Sequence, residues 1–298
     1  MPISSRVILA GIMGAAVLAV APALAQVDVL AQAEKRAGSP IIVTPLPPPV
    51  AGMAAPQPAP PAYQNPQQAL GKYLEGYRAG DPRSGMEALR YAAEGGEAFA
   101  RWRLGSMYAN GEGVPHDDKK AYEYFEQIVE AYDDATPVHP RQRGVIASAF
   151  VAVGAYALTG IPNSRVNHDP QRARDLFTVA ATEFADPHAQ YALGRLYLDG
   201  TGVKRDPRRG ARWLKLSADK QHMESQALLG NLYFMGAEGV QRQRAMGLMY
   251  LTMARDAVVD RKKDKWVIDL YDSAMASAND LDRQGGLVFL EGYIKGRR

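Results

Sequence analysis

Six short segments, two of them overlapping, hold the residue types that could do chemistry. Gly200-Thr201-Gly202, followed by Lys204 and Arg205, has the make-up of a phosphate cradle, with glycine-freed amides and two cations close behind. Pro115-His116-Asp117-Asp118 sets an imidazole beside two carboxylates, the donor types of a cation site, and Asn167-His168-Asp169-Pro170 is a weaker version of it. Asp133-Asp134 is a pair of acids, and two basic runs, Lys204 to Arg209 and Arg261 to Lys265, could steer an acidic partner. None of these completes a reactive constellation. The five histidines are scattered, no His-Glu-x-x-His helix or Gly-x-Ser-x-Gly elbow occurs, and there is no cysteine. Nothing near the Asp133-Asp134 pair would raise either pKa. The expectation is a protein with no catalytic residue, no metal and no cofactor, and not an enzyme.

The elements that position these segments explain most of them. Leu-Gly recurs at Leu104-Gly105, Leu193-Gly194 and Leu229-Gly230, each glycine followed three residues later by Tyr108, Tyr197 or Tyr233. Gly-x-Gly-Val follows twice, at Gly111 to Val114 and Gly200 to Val203, and an acidic residue then opens an alanine-containing amphipathic segment. Gly154 is in register with a weaker copy, so the matched glycines Gly105, Gly154, Gly194 and Gly230 stand 49, 40 and 36 residues apart. Two helical segments within each such period describe a stacked array of antiparallel helix pairs. A phosphate loop sits between a strand and a helix, whereas these glycines recur between helices, so they are expected to be turns. Asp117, Asp169 and Asp206 then read as helix caps, with Pro170 and Pro207 at the first helical position.

A mid-helix glycine costs about 1 kcal/mol relative to alanine. Its recurrence at four matched positions predicts close approach, with an aromatic ring of the partner helix resting on the backbone. Framework positions repeat, but the opposite face of each first helix varies. It reads Phe99, Arg103, Ser106, Asn110 in one repeat, His188, Ala192, Arg195, Asp199 in another, and Glu224, Leu228, Asn231 in a third. From these, Arg103, Ser106, Asn110, Arg195, Asp199 and Asn231 are the candidate partner-binding residues on a concave surface.

The amino terminus has a different texture. Arg6, an apolar run from Val7 to Val20 and Ala23-Leu24-Ala25 make a secretory signal peptide over residues 1–25, and the run is shorter than the roughly 20 residues a spanning helix needs. Ten of the twenty prolines lie between Pro40 and Pro66, so residues 26–66 read as an exposed, disordered arm that cannot build helix or central strand. Residues 67–298 are then the helical array, about six pairs with degenerate ends. The expected location is the periplasm, free rather than membrane-embedded. A net charge of +3 with both signs interspersed argues against nucleic acid as a partner.

The pattern Leu-Gly-x-x-Tyr, Gly-x-Gly-Val, Asp, then an Ala-rich aromatic helix resembles the Sel-one-like repeat, a relative of the tetratricopeptide repeat, over roughly Gln67 to Asp256. That resemblance implies an all-α, right-handed α-solenoid serving as a protein-interaction scaffold. The stretches Gly160 to Phe177, Arg242 to Asp256 and Trp266 to Tyr271 also resemble a family of periplasmic negative regulators of exopolysaccharide production. The second resemblance implies a protein partner, the periplasmic domain of a sensor histidine kinase whose two-component pathway is held off, and a periplasmic protease that removes the repressor. The alternative reading is an envelope scaffold or adaptor for cell-wall or polysaccharide assembly.

Overall fold

The computed structural model describes residues 63–80 and 82–296, so the signal peptide and nearly all of the proline arm lie outside the described residues. Twelve helices and no strand occur among the described residues, with one isolated bridge between Ala237 and Val240. They fall into two compact units, Met1–Asp134 and Ala135–Arg298. The first holds α1 (Pro66–Ala79), α2 (Pro82–Glu94), α3 (Ala98–Asn110) and α4 (Asp118–Glu130). The second holds α5 (Pro140–Thr159), α6 (Pro170–Thr182), α7 (Pro187–Asp199), α8 (Pro207–Ala218), α9 (Met223–Met235), α10 (Arg244–Asp256), α11 (Lys265–Ser277) and α12 (Asp280–Lys295). Helix α1 begins at Pro66, one residue inside the segment read as arm. Proline suits that first position because its missing N–H would be unpaired there anyway, and Asn65 caps the helix by accepting from the Gln68 amide at 2.8 Å.

The capping residues behave as their types require. Asp117 accepts from the Lys120 amide at 3.0 Å, Asp169 from Arg172 at 2.9 Å and Asp206 from Arg209 at 2.9 Å, so each carboxylate satisfies an orphan donor at the start of a second helix. Helix α10, whose repeat has lost the Asp-Pro step, has Gln243 at its N-cap position with no side-chain capping bond. First helices α3 and α7 end on Gly111 and Gly200, at φ of 70° and 77°, the left-handed conformation that only glycine adopts without strain. The Gly-Thr-Gly step is therefore a helix stop and turn.

Helices of a pair touch at the matched glycines. A Cβ on Gly105 would lie 2.8 Å from the Phe125 ring, and one on Gly154 would lie 2.6 Å from the Phe177 ring. At Gly194 and Gly230 the occupant is not aromatic as expected: Leu214 and Leu251 fill the place, at 2.7 and 2.8 Å. A branched γ-carbon set over bare backbone fills the same space as a ring edge. Tight contact is the constant, and the side-chain type is free to change.

The cores follow the apolar stripes. Leu104 and Leu193 are buried on α3 and α7, and Phe177, Leu214 and Leu251 are buried on the second helices. Leu104→Ala and Leu193→Ala are each expected to destabilise by roughly 2–5 kcal/mol through lost transfer energy and a residual cavity. Urea titration would check this, and a midpoint equal to that of the parent would count against the stripe. At the carboxyl end, α12 packs on α10, where Gly286 approaches Leu248 and Arg244 holds Asp282 at 3.0 Å. Its other faces leave Leu281, Leu287 and Val288 exposed, so this terminal helix is not the polar cap usual for a repeat array.

Candidate partner-binding face

The six candidate residues lie on first helices, and the structure shows what five of the side chains touch. Arg103 of α3 is not an outstretched cation. Its Nε donates to the Tyr73 hydroxyl at 3.2 Å, its Nη1 meets Glu112 at 3.1 Å, and its side chain is 15% exposed. Burial opposes the guanidinium charge, but Tyr73 and Glu112 more than offset it and hold the pKa above its ordinary value. Glu112 also accepts from Asn110 Nδ2 at 3.3 Å, and Ser106 donates back to the Trp102 carbonyl at 2.9 Å. Helix α7 repeats the arrangement. Arg195 sits between the Tyr191 hydroxyl at 3.4 Å and Asp199 at 3.5 Å, with its side chain 17% exposed. Asn231 is half-buried on α9. Arg103, Asn110 and Glu112 thus form one polar cluster in the first unit, and Arg195 and Asp199 form another in the second. Both arginines are largely neutralised from within, which gives the face shape and hydrogen-bonding capacity more than net charge.

Two further features belong to the second unit, the first invisible in the sequence and the second visible only in part. The first is a buried polar knot under the α7 face. His222 precedes α9 and accepts at Nδ1 from the Ser225 amide at 3.3 Å, so it caps that helix, and its Nε2 lies 3.0 Å from Nδ1 of His188 on α7. Ser225 bonds to Ser217 at 2.7 Å, and Ser217 donates to the Pro187 carbonyl at 2.7 Å. The Tyr191 ring packs 5.1 Å from His222. Burial, helped by the nearby His188, drives the pKa of His222 down to about 3, so the ring is neutral. Histidine is not among the usual capping types, so no motif signals this role.

The second feature is a cleft of about 860 Å³ where α6, the α7–α8 turn and the start of α8 meet, lined by Arg174, Lys204, Arg205, Arg208 and Arg209 among others. The sequence showed this cluster but not that Arg174, thirty residues before Lys204, joins it. His116-Asp117-Asp118 is a capping segment: His116 Nδ1 lies 2.9 Å from the Ala109 carbonyl and its Nε2 lies 3.3 Å from Asp118. Among the described residues no group of three or more His, Cys, Asp or Glu is placed to hold a metal, and no helix is long and apolar enough to cross a membrane.

Comparison with known proteins agrees with the repeat reading. The Sel1 repeat model matches residues 98–133, 150–183, 187–222 and 224–257, which places one copy in the first unit and three in the second. Two curated relatives are each described as an exopolysaccharide production negative regulator. The one from Rhizobium leguminosarum bv. viciae is 33% identical over 71% of this chain and 76% of its own length. The other, from Rhizobium meliloti (strain 1021), is 30% identical over 72% of this chain and 78% of its own length. Among solved structures, a protective antigen of uropathogenic Escherichia coli displaying an SLR fold superposes with a TM-score of 0.62 at 22% identity. The match covers 78% of this chain and 46% of that one, and it speaks to the fold alone.

Proposed function

We propose that this chain, which belongs to the Sel1-repeat family of exopolysaccharide production negative regulators, represses exopolysaccharide synthesis from the periplasm by binding and inhibiting the sensing domain of a membrane histidine kinase. The observation that carries the reading is the relationship to two negative regulators across three quarters of their length. Sel1 repeats imply protein–protein interaction, and inhibition by contact requires a shaped surface rather than a reactive group. The pre-formed clusters at Arg103 and Arg195 suit that task. Each guanidinium is held by two internal partners, so little side-chain entropy remains to be lost when a partner docks.

The reading is tested in cells. Deleting the gene should raise exopolysaccharide output, and restoring the chain with its amino-terminal 25 residues should reverse this. Restoring it without them should not. A photo-crosslinking residue placed at Asn231 should capture the kinase's periplasmic domain. Unchanged polysaccharide output after deletion, or capture of polysaccharide-assembly proteins in place of the kinase, would overturn the proposal and favour an envelope scaffold.

A further inference from the structure

We infer that the cationic cleft at the start of α8 is the docking site for an acidic, extended segment of the protein partner. This rests on the protein-binding reading above and adds where contact is made and by what chemistry.

The charge balance of the cleft is the starting point. Five cations line it, namely Arg174, Lys204, Arg205, Arg208 and Arg209, against the carboxylates Asp175, Asp206 and Glu238. Two of the three acids are already engaged. Asp175 receives two bonds from Arg174, at 2.8 and 2.6 Å, and Asp206 caps α8 through the Arg209 amide at 2.9 Å. Glu238 is 87% exposed and reaches Arg205 only at 3.8 Å, a separation worth little in water. Among the described residues, Lys204 and Arg208 have no ion-pair partner. Arg208 and Arg209 also occupy the first turn of α8, the helix end at which positive charge is disfavoured. Internal contacts account for Arg174, for Arg205, whose Nε donates to the Leu198 carbonyl at 3.0 Å, and for Arg209. They do not account for the surplus charge of Lys204 and Arg208, which an incoming negative chain would engage.

The kind of anion follows from the shape. A small-molecule site encloses its ligand around a few fixed polar groups. This cleft is instead open, and Lys204, Arg205, Arg208 and Arg209 are exposed. Its cations come from α6, from the α7–α8 turn and from α8, so one small anion would engage only one or two of them. Carboxylates spaced along an extended polypeptide would engage them in turn, with Val203 and Pro207 offering apolar lining beneath. Among the cations already positioned is Arg209, whose guanidinium lies over the Tyr197 ring at 5.0 Å and donates to its hydroxyl at 3.2 Å.

The test uses the full chain after the leader and a fluorescent decapeptide of alternating glutamate and serine, read by anisotropy in about 0.15 M salt, where exposed charges are screened beyond about 8 Å. The parent should bind, an all-serine peptide should not, and the double variant Lys204→Glu/Arg208→Glu should weaken binding at least tenfold. Arg261→Glu/Lys262→Glu, which reverses the other basic run, should leave it unchanged. Both pairs are exposed, so matching melting curves would exclude unfolding as the cause. Equal loss in the two variants would reduce the effect to net charge and overturn the site. An oligogalacturonate of equal charge that binds as tightly and shows the same loss would overturn the polypeptide in favour of an anionic carbohydrate. Photo-crosslinking at Arg208 and at Asn231 separates this inference from the functional reading. Capture of the kinase domain at Asn231 alone removes the cleft, whereas no captured protein at either position removes both.

Discussion

Gly247→Val is expected to unfold the second unit. A Cβ at Gly247 on α10 would stand 2.6 Å from the Phe234 nitrogen and 2.7 Å from the Gly230 carbonyl oxygen, both backbone atoms of α9. Neither can rotate away as a side chain would. Reciprocally, a Cβ on Gly230 would lie 2.8 Å from the Leu251 nitrogen and 2.9 Å from the Gly247 oxygen, so the helices rest backbone on backbone at a pair of facing glycines. Valine adds three carbons at a point with room for none, and α9 and α10 must separate. Separation strips contacts from Leu229, Phe234, Leu248 and Leu251, all buried. Overpacking typically costs 1–3 kcal/mol when the neighbours can yield. With rigid backbone on both sides, a loss of more than about 4 kcal/mol is expected, at the diagnostic end for a single substitution. Gly144→Ala should have the opposite sign. No described atom lies within 4 Å of a Cβ there, so the substitution only relieves glycine's entropy and should stabilise by about 0.5–1 kcal/mol. Circular dichroism melts of the two variants decide the matter. A Gly247→Val protein melting with the parent would show that the helices are not in backbone contact.

The contrast between these glycines marks what the sequence could reveal. Recurrence at Gly105, Gly154, Gly194 and Gly230 was legible because helix propensity penalises such residues, so each needs a packing reason. The facing glycine, Gly247, has a counterpart in Gly210, each the fourth residue of its helix, but that they meet the backbone at Gly230 and Gly194 emerged only when the paired helices were seen together. Ring contact was right at Phe125 and Phe177 and wrong at Leu214 and Leu251, because a spacing pattern specifies that space must be filled and not by which side chain. Arg103 lies on α3 as the helical spacing required. Its engagement by Tyr73, thirty residues earlier, is a tertiary fact that helical periodicity cannot contain. The same limit hid Arg174 from the Lys204–Arg209 cluster.

These placements alter which charges are available to a partner. On the first-helix face, the arginines are held by Tyr73, Glu112, Tyr191 and Asp199, so reversing Arg103 or Arg195 would disturb the fold as well as the surface. At the cleft, Lys204 and Arg208 can be reversed with little internal consequence. A surface that holds its own charges offers shape, whereas one with surplus charge attracts at a distance and speeds encounter.

His222 should make stability fall with acidity between pH 7 and 5, a range in which most carboxylates stay ionised. Its Nδ1 accepts from the Ser225 amide, so the neutral ring carries its proton on Nε2 and donates to His188 Nδ1 at 3.0 Å. A second proton would set an N–H against the Ser225 N–H, undo the cap of α9, and place a charge where only 8% of the residue reaches water. Tyr191 faces the ring from α7, and the Glu224 carboxylate, 3.5 Å from Nε2, favours the cation but is itself a third exposed, so desolvation prevails. The unfolded chain takes up a proton below its ordinary value of about 6.5, whereas the folded chain resists until about 3. Stability is therefore complete above about pH 6.5 and is lost as pH falls, by about 2 kcal/mol at pH 5 and about 3 kcal/mol at pH 4. His222→Asn keeps a neutral acceptor at the capping position and removes the titration. Urea unfolding at pH 7 and pH 5 should show the parent losing about 2 kcal/mol more than the variant over that interval. Parallel losses in the two proteins would mean that this imidazole titrates in the folded chain much as it does in water.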